Sequence, residues 1–137
     1  MAAVTALRQI VRNLSKSKRY DRLGQHLNVV SAGNGKIKCE MPVLEEHLNL
    51  SGNLHGGFTA TLVDVVSTYA LGTLDDPRFG VSVDMNISYT SSAKQGDTLI
   101  ITSDVLKRGQ TLAFANVEIR DQNDKLIAYG RHTKYVA

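Results

Sequence analysis

A chain of 137 residues with 42% hydrophobic and 21% charged side chains, two prolines, eleven glycines and one cysteine has room for a single self-supporting domain. This composition excludes a disordered, collagenous or disulfide-stapled class, and Cys39 alone makes neither an intramolecular disulfide nor a multi-cysteine metal site. The formal charge of +3 belongs to the N-terminus, where Arg8, Arg12, Lys16, Lys18 and Arg19 precede the first acid, Asp21; the rest is close to neutral, and no nucleic-acid partner is expected.

Val4, Leu7, Ile10, Val11 and Leu14 recur at helical spacing with Arg8 and Arg12 opposite, predicting an amphipathic helix in a basic segment 1–19 ahead of one domain over 20–137. Such a helix packs on its own domain or a neighbour, targets mitochondria, or lies on a membrane surface, and the pattern leaves these open. Residues 27–31 and 36–41 read as strands joined by Gly33-Asn34-Gly35, with Ile37, Cys39 and Met41 inward and Pro42 as the stop. Residues 44–54 form a polar loop.

The stretch from Gly56 to about Leu74 is apolar nearly all round, with Asp64 its only charge. Thr59, Thr61, Ser67 and Thr68 make it a poor membrane span and a better helix buried on most sides within a globular fold. From 81 to 89, Val81, Val83, Met85, Ile87 and Tyr89 alternate against Ser82, Asp84, Asn86 and Ser88, which puts Ser82 on the polar face. Residues 98–106, 111–120 and 126–136 complete an antiparallel meander, with turns at Lys107-Arg108-Gly109-Gln110 and at 121–125. No repeat, low-complexity segment or linker intervenes. The class is α+β, one sheet wrapped around one central helix.

His55-Gly56-Gly57 stands where the loop becomes that helix. Helix N-termini expose N–H groups and partial positive charge, and glycine lets a ligand approach, so an anion or developing oxyanion fits there; tight turns use glycine pairs as well. Asp64 is costly in an apolar segment unless it is paired or faces a cleft, where it serves as general base or nucleophile. Asn49, His55 and Ser82 are ordinary singly, and the order Asn49, His55-Gly56, Asp64 sets them apart. His55 and Asp64 are nine residues apart, about 13 Å along a helix, whereas a base and an oxyanion hole converge on one atom. One reaction therefore draws on two chains, which predicts a symmetric dimer with two composite sites. His26, His47, His55 and His132 show no zinc spacing, and no metal or redox cofactor is expected.

The run Asn49-Leu-Ser-Gly52-Asn-Leu-His55-Gly56-Gly57, with Leu62 and Asp64, resembles the N-x-x-G-x-x-H-G-G-x(4)-L-x-D signature of hotdog-fold thioesterases of the phenylacetate-pathway and 4-hydroxybenzoyl-CoA type. The similarity extends from about residue 23 to 135 and includes Gly80-Val-Ser-Val-Asp-Met-Asn86 and Gly130-Arg-His-Thr-Lys134. The resemblance implies a hotdog fold, a dimer with one continuous sheet, and a homotetramer built as a dimer of dimers. It implies hydrolysis of medium- to long-chain fatty acyl-CoA to free acid and coenzyme A. The Gly56 N–H, aided by Asn49, would polarise the thioester carbonyl. The partner subunit's Asp64 would activate water or attack directly, Ser82 would orient the water, and His55 would position substrate or assist the departing thiolate. Coenzyme A contacts would come from Asp84, Tyr89, Thr90, Ser91, Ser92, Ala93, Lys94, Lys107, Arg108, Gly109, Gln110, Thr111 and Tyr135. Ser91-Ser92-Ala93 stands where the family usually carries a proline. A mitochondrial or cytoplasmic location and a lipid-transfer-protein partner are further implications. The alternatives on this fold are a non-catalytic acyl-CoA sensor or scaffold and a hydratase, whose Asp/His pair is not legible beside the Gly-Gly turn. Asp64 favours catalysis, since a pure binder has no use for a desolvated base.

Overall fold

The alternating segments form six antiparallel strands: β1 (Asn28–Gly33), β2 (Lys36–Pro42), β3 (Val81–Tyr89), β4 (Thr98–Arg108), β5 (Leu112–Arg120) and β6 (Leu126–Tyr135). The structure is a computed structural model that describes residues 2–137; Met1, the first residue of segment 1–19, lies outside the described residues. The strands make one sheet in the order β1-β2-β4-β5-β6-β3. Asn34 (φ 55°) and Gly35 (φ 80°) supply the two positive-φ positions that turn β1 tightly into β2.

The apolar stretch becomes α2 (Gly56–Leu71), whose Phe58, Leu62, Val63, Val66 and Ala70 pack with Leu99, Ile101, Val117, Ile119 and Ala128 of the sheet. Burying each large aliphatic side chain in this way stabilises the fold by about 1.5–3 kcal/mol. At Gly130 the helix rests on bare strand, because a Cβ there would lie 2.9 Å from Val63 Cγ1. The sheet wraps around α2 in the hotdog arrangement. α2 stops at Leu71, short of the expected residue 74. Thr73 Oγ1 donates to the Ala70 carbonyl at 2.7 Å and accepts the Gly35 N–H at 2.7 Å, which turns the chain toward the β1–β2 hairpin.

The two sheet edges differ. β1 is covered by α1 (Ala2–Leu14), whose Leu7 and Val11 are buried in the main core and whose Arg8 Nε donates to the Val29 carbonyl at 3.0 Å. Among the described residues β3 has no strand on its outer side, and Val81, Val83 and Tyr89 are 64%, 54% and 57% exposed.

Two strand readings change. β4 runs through Lys107 and Arg108, which pair with Phe114 and Ala113, so the expected four-residue turn contracts to 109–111. Arg108 is held there by Asp76, donating to its carbonyl at 3.0 Å and to its carboxylate at 3.2 Å. In β3 the register against β6 shifts between Ser82 and Asp84, so that Ser82 pairs with the buried Lys134 and Met85 with the buried His132. The extra residue flips the face of the strand, and Ser82 points inward with Met85 instead of outward with Asp84.

Candidate active site

His55 is the N-cap of α2, and its Nδ1 accepts the Gly57 N–H at 2.8 Å. A side chain at 57 would come within 2.9 Å of that nitrogen, so glycine is what admits the imidazole. The Gly56 N–H has no hydrogen-bond partner among the described residues and stands open at the positive end of the helix. The Gly56 carbonyl accepts the Tyr89 hydroxyl at 2.9 Å, tying the last residue of β3 to the first of α2. Asn49 Oδ1 accepts the Ser51 and Asn53 N–H groups at 3.0 and 3.1 Å, which folds the loop and leaves the side-chain amine as its free donor. Asn49 and His55 line an open depression of about 470 Å³ with Leu48, Leu50 and Ser51.

Asp64 lies two turns further along α2, in a separate hollow of about 210 Å³ lined with Asp21, Thr68, Tyr69, Phe79 and Lys134. Its side chain is 47% exposed, not desolvated as the apolar surroundings in sequence imply. Behind it lies a polar cluster. His132 Nδ1 is 2.8 Å from Ser67 Oγ and 4.0 Å from Asp64 Oδ1, and His132 Nε2 is 2.7 Å from Ser82 Oγ. Lys134 Nζ donates to Thr68 Oγ1 at 2.7 Å, and Thr68 donates to the Asp64 carbonyl at 2.8 Å. Burial pushes the His132 and Lys134 pKa values down, partly offset by the nearby Asp64 carboxylate. Thus α2 carries an open N–H at one end and a carboxylate with ordered hydroxyls toward the other.

Residues 51–128 match the family described as Thioesterase superfamily. The chain belongs to the thioesterase superfamily. It is similar to human acyl-coenzyme A thioesterase 13, with 49% identity over 132 residues that cover 96% of this chain and 94% of the relative. It superposes on the crystal structure of zebra fish thioesterase superfamily member 2 with a TM-score of 0.95, 49% identity and 98% of each chain covered. A Streptococcus mutans protein crystallised bound to acetyl CoA aligns with a TM-score of 0.76 and 28% identity, covering 81% of this chain and 88% of that one.

In this thioesterase-superfamily chain the thirteen residues expected to contact coenzyme A are distributed over several hollows and strand ends of the single chain. Asp84 and Lys107 line a groove of about 660 Å³ with Asn86, Leu106, Phe114 and Arg131. Arg108, Gly109 and Gln110 line another hollow with Asp76 and Arg78. Tyr135, 46% exposed, pairs with Val81 and Leu112, and the Thr111 carbonyl accepts the Val136 N–H at 2.8 Å. Thr90 Oγ1 donates to the Leu126 carbonyl, the Ser91 N–H to Ile127, the Lys94 N–H to Asp97, and the Ser92 carbonyl accepts Lys125 Nζ. These bonds pin the loop without a proline. Ala93 is a correction: it is wholly buried, its carbonyl accepts the Leu54 N–H, and its side chain cannot reach a ligand.

Sequence reasoning missed Ser67, Thr68, His132 and Lys134 as members of the site. A signal existed in β6, where Ala128, Gly130, His132 and Lys134 fall on one buried face. Two polar side chains on a face otherwise made of small residues mark a lined cavity. Among the described residues no group of three His, Cys, Asp or Glu side chains is arranged to hold a metal, and no helix is long and apolar enough to cross a membrane.

Proposed function

We propose that this chain hydrolyses medium- to long-chain fatty acyl-CoA thioesters to free acid and coenzyme A, at sites composed by two copies. The observation that carries the reading is the split of the machinery along α2, combined with the bare edge of β3. Gly56 and Asp64 are eight residues apart, about 12 Å at 1.5 Å per residue, too far for one carbonyl to meet both. Tyr89 ties the end of β3 to Gly56, and the Ser82–His132 bond ties its start to the neighbourhood of Asp64. If two β3 strands pair antiparallel about a two-fold axis, the start of one lies beside the end of the other. Each site then takes Asn49, His55 and Gly56 from one chain and Asp64 and Ser82 from its partner. The kinship with acyl-coenzyme A thioesterase 13 supports the substrate class.

In this scheme the thioester oxygen meets the Gly56 N–H, with the Asn49 amine as second donor, so charge developing on that oxygen is stabilised where the helix is most positive. Asp64 takes one proton from a water as it adds to the carbonyl carbon. The tetrahedral intermediate collapses by breaking the C–S bond, and the thiolate leaves with the nucleotide end toward Lys107, Arg108 and the 90–94 loop. His55 stands beside the departing sulfur. A dimer of dimers would use the outer sheet face, where Leu106, Leu112 and Phe114 are exposed.

The test is release of free thiol from a panel of acyl-CoA esters from acetyl to stearoyl. Asp64→Asn is expected to lower kcat by roughly 100-fold or more while ligand binding and assembly mass persist; undiminished turnover overturns the mechanism. A chain that binds the esters and releases no thiol in either form is the sensor of the alternative reading. Mixing inactive Asp64→Asn with inactive Asn49→Ala is expected to restore up to about a quarter of wild-type activity, since each heterodimer rebuilds one intact site. No recovery in heterodimers of verified mass argues for a site within one chain.

A further inference from the structure

We propose that His132 is the positioning residue of the water site: it holds the Ser82 hydroxyl as a donor, so that Ser82 offers only lone pairs to the attacking water. The proposal rests on the hydrolase reading above and adds the direction of each hydrogen bond behind Asp64.

The direction follows from counting protons. Ser67 Oγ lies 2.7 Å from the Val63 carbonyl and 3.0 Å from the Asp64 carbonyl. Both oxygens can only accept, so the single Ser67 hydroxyl hydrogen is committed to them. The 2.8 Å contact between Ser67 Oγ and His132 Nδ1 must then run from the ring, with Nδ1–H donating. A neutral imidazole has one N–H, which leaves Nε2 as a lone pair. At the 2.7 Å contact with Ser82 Oγ the hydroxyl is therefore the donor. The ring is 1% exposed and held at both nitrogens, so it has no solvent partner to turn toward.

The consequence lies in the water. A water that gives one hydrogen to Ser82 Oγ and the other to the Asp64 carboxylate has its own lone pairs directed away from both, toward the carbonyl carbon. Were Ser82 to donate to that water, one of its two lone pairs would be engaged and Asp64 alone would be left to orient its hydrogens. In the reaction one water proton passes to Asp64 and the other stays on the oxygen that becomes part of the product acid. His132 and Ser82 keep theirs.

The groups around the ring hold this state. Asp64 on α2 and Asp84 on β3 favour the charged ring; burial and Lys134 on β6 oppose it, burial most strongly, and β5 presents only Ala115 opposite. A protonated ring would donate from Nε2, turn the Ser82 hydrogen outward and reverse the polarity offered to water.

The experiment is a double-mutant cycle read in kcat at saturating acyl-CoA, with KM followed separately. His132→Ala is expected to lower kcat roughly 10- to 100-fold with KM within about two-fold. In the Ser82→Ala background the same change should cost nothing further, because His132 acts through Ser82. His132→Gln, whose side-chain carbonyl restores an acceptor, should recover part of the loss. Equal losses in both backgrounds mean a merely structural ring and overturn the proposal. Should His132→Ala fail to fold, the 15N signals of the wild-type imidazole decide: Nδ1 protonated and Nε2 bare at neutral pH is expected, and the opposite tautomer or a charged ring overturns it. A wild-type chain that cleaves no ester sinks the hydrolase reading and the water site together, whereas an additive cycle in an active enzyme sinks the positioning role alone.

Discussion

His47 organises the opposite end of the site from a buried position. It is 1% exposed, stacks on Phe58 with ring centroids 4.3 Å apart, and accepts the Leu44 N–H at Nδ1 at 3.0 Å. Its carbonyl accepts the His55 N–H at 2.8 Å, so the loop that presents Asn49 and His55 hangs from this residue. Burial pushes its pKa down, with Glu46 opposing and His26 adding to the shift, and burial does the same to His132. A histidine whose folded pKa lies below the unfolded value of about 6.5 binds its proton preferentially in the unfolded chain. Stability is therefore expected to fall as pH drops through about 6.5 toward the folded value, and to recover above it. Denaturant midpoints measured from about pH 7.5 to about 5.5 should decline, and His47→Asn, which keeps an acceptor near Nδ1, should flatten part of the decline while losing about 1–3 kcal/mol of packing at neutral pH. A midpoint constant over that range contradicts the assignment. At this scale the legible residues were those that break a pattern. Asp64 is the one charge in an apolar helix, and Asn49, His55 and Gly56 precede it within fifteen residues. The inward face of Ser82 was not legible, because it depends on a bulge in β3 that the alternation of side chains conceals.

β3 begins under a tight constraint that sets the aim of Ser82. Gly80 has φ +60°, and a Cβ on it would lie 2.2 Å from the Tyr135 carbonyl oxygen. Both the left-handed backbone and the close approach exclude a side chain. Gly80→Ala is expected to cost about 2 kcal/mol or more and to lower kcat, since the start of β3 must lift off β6 and carry Ser82 away from His132. Thermal melting and turnover of the same preparation check both, and unchanged kcat would detach Ser82's position from the reaction. The elements themselves were legible from periodicity: α2 starts at Gly56 and β3 spans Val81–Tyr89 as the pattern indicates. Their ends were less so. α2 stops because Thr73 reaches the β1–β2 hairpin, and β4 is prolonged because Arg108 meets Asp76, contacts 38 and 32 residues away in sequence. Boundaries set by such distant partners leave no trace in local composition.

The whole molecule has one finished edge and one open edge. α1 lies along β1 with Leu7 and Val11 in the core, so the apolar face of the basic helix is already occupied. β3 offers nine residues of strand with Asp84 as its only charge and neither proline nor lysine, the features by which proteins blunt an edge. Val83→Lys is expected to leave mostly monomer in sedimentation at about 10 μM, because each strand would carry a lysine charge into the seam, the device by which proteins blunt an edge, and hydrolysis should fall with it. Persistence of the dimer would place the interface elsewhere. Arg8 and Arg12 of the basic N-terminal segment thus sit on the helix that covers the β1 edge. In the proposed dimer, two-fold pairing through β3 would use the bare edge of the sheet, and the pair would close with an α1-covered β1 at each end. Removing α1 would turn that closed pair into a block with two sticky ends, able to add neighbours without limit. In that sense α1 is a terminator for the β1 edge of the sheet.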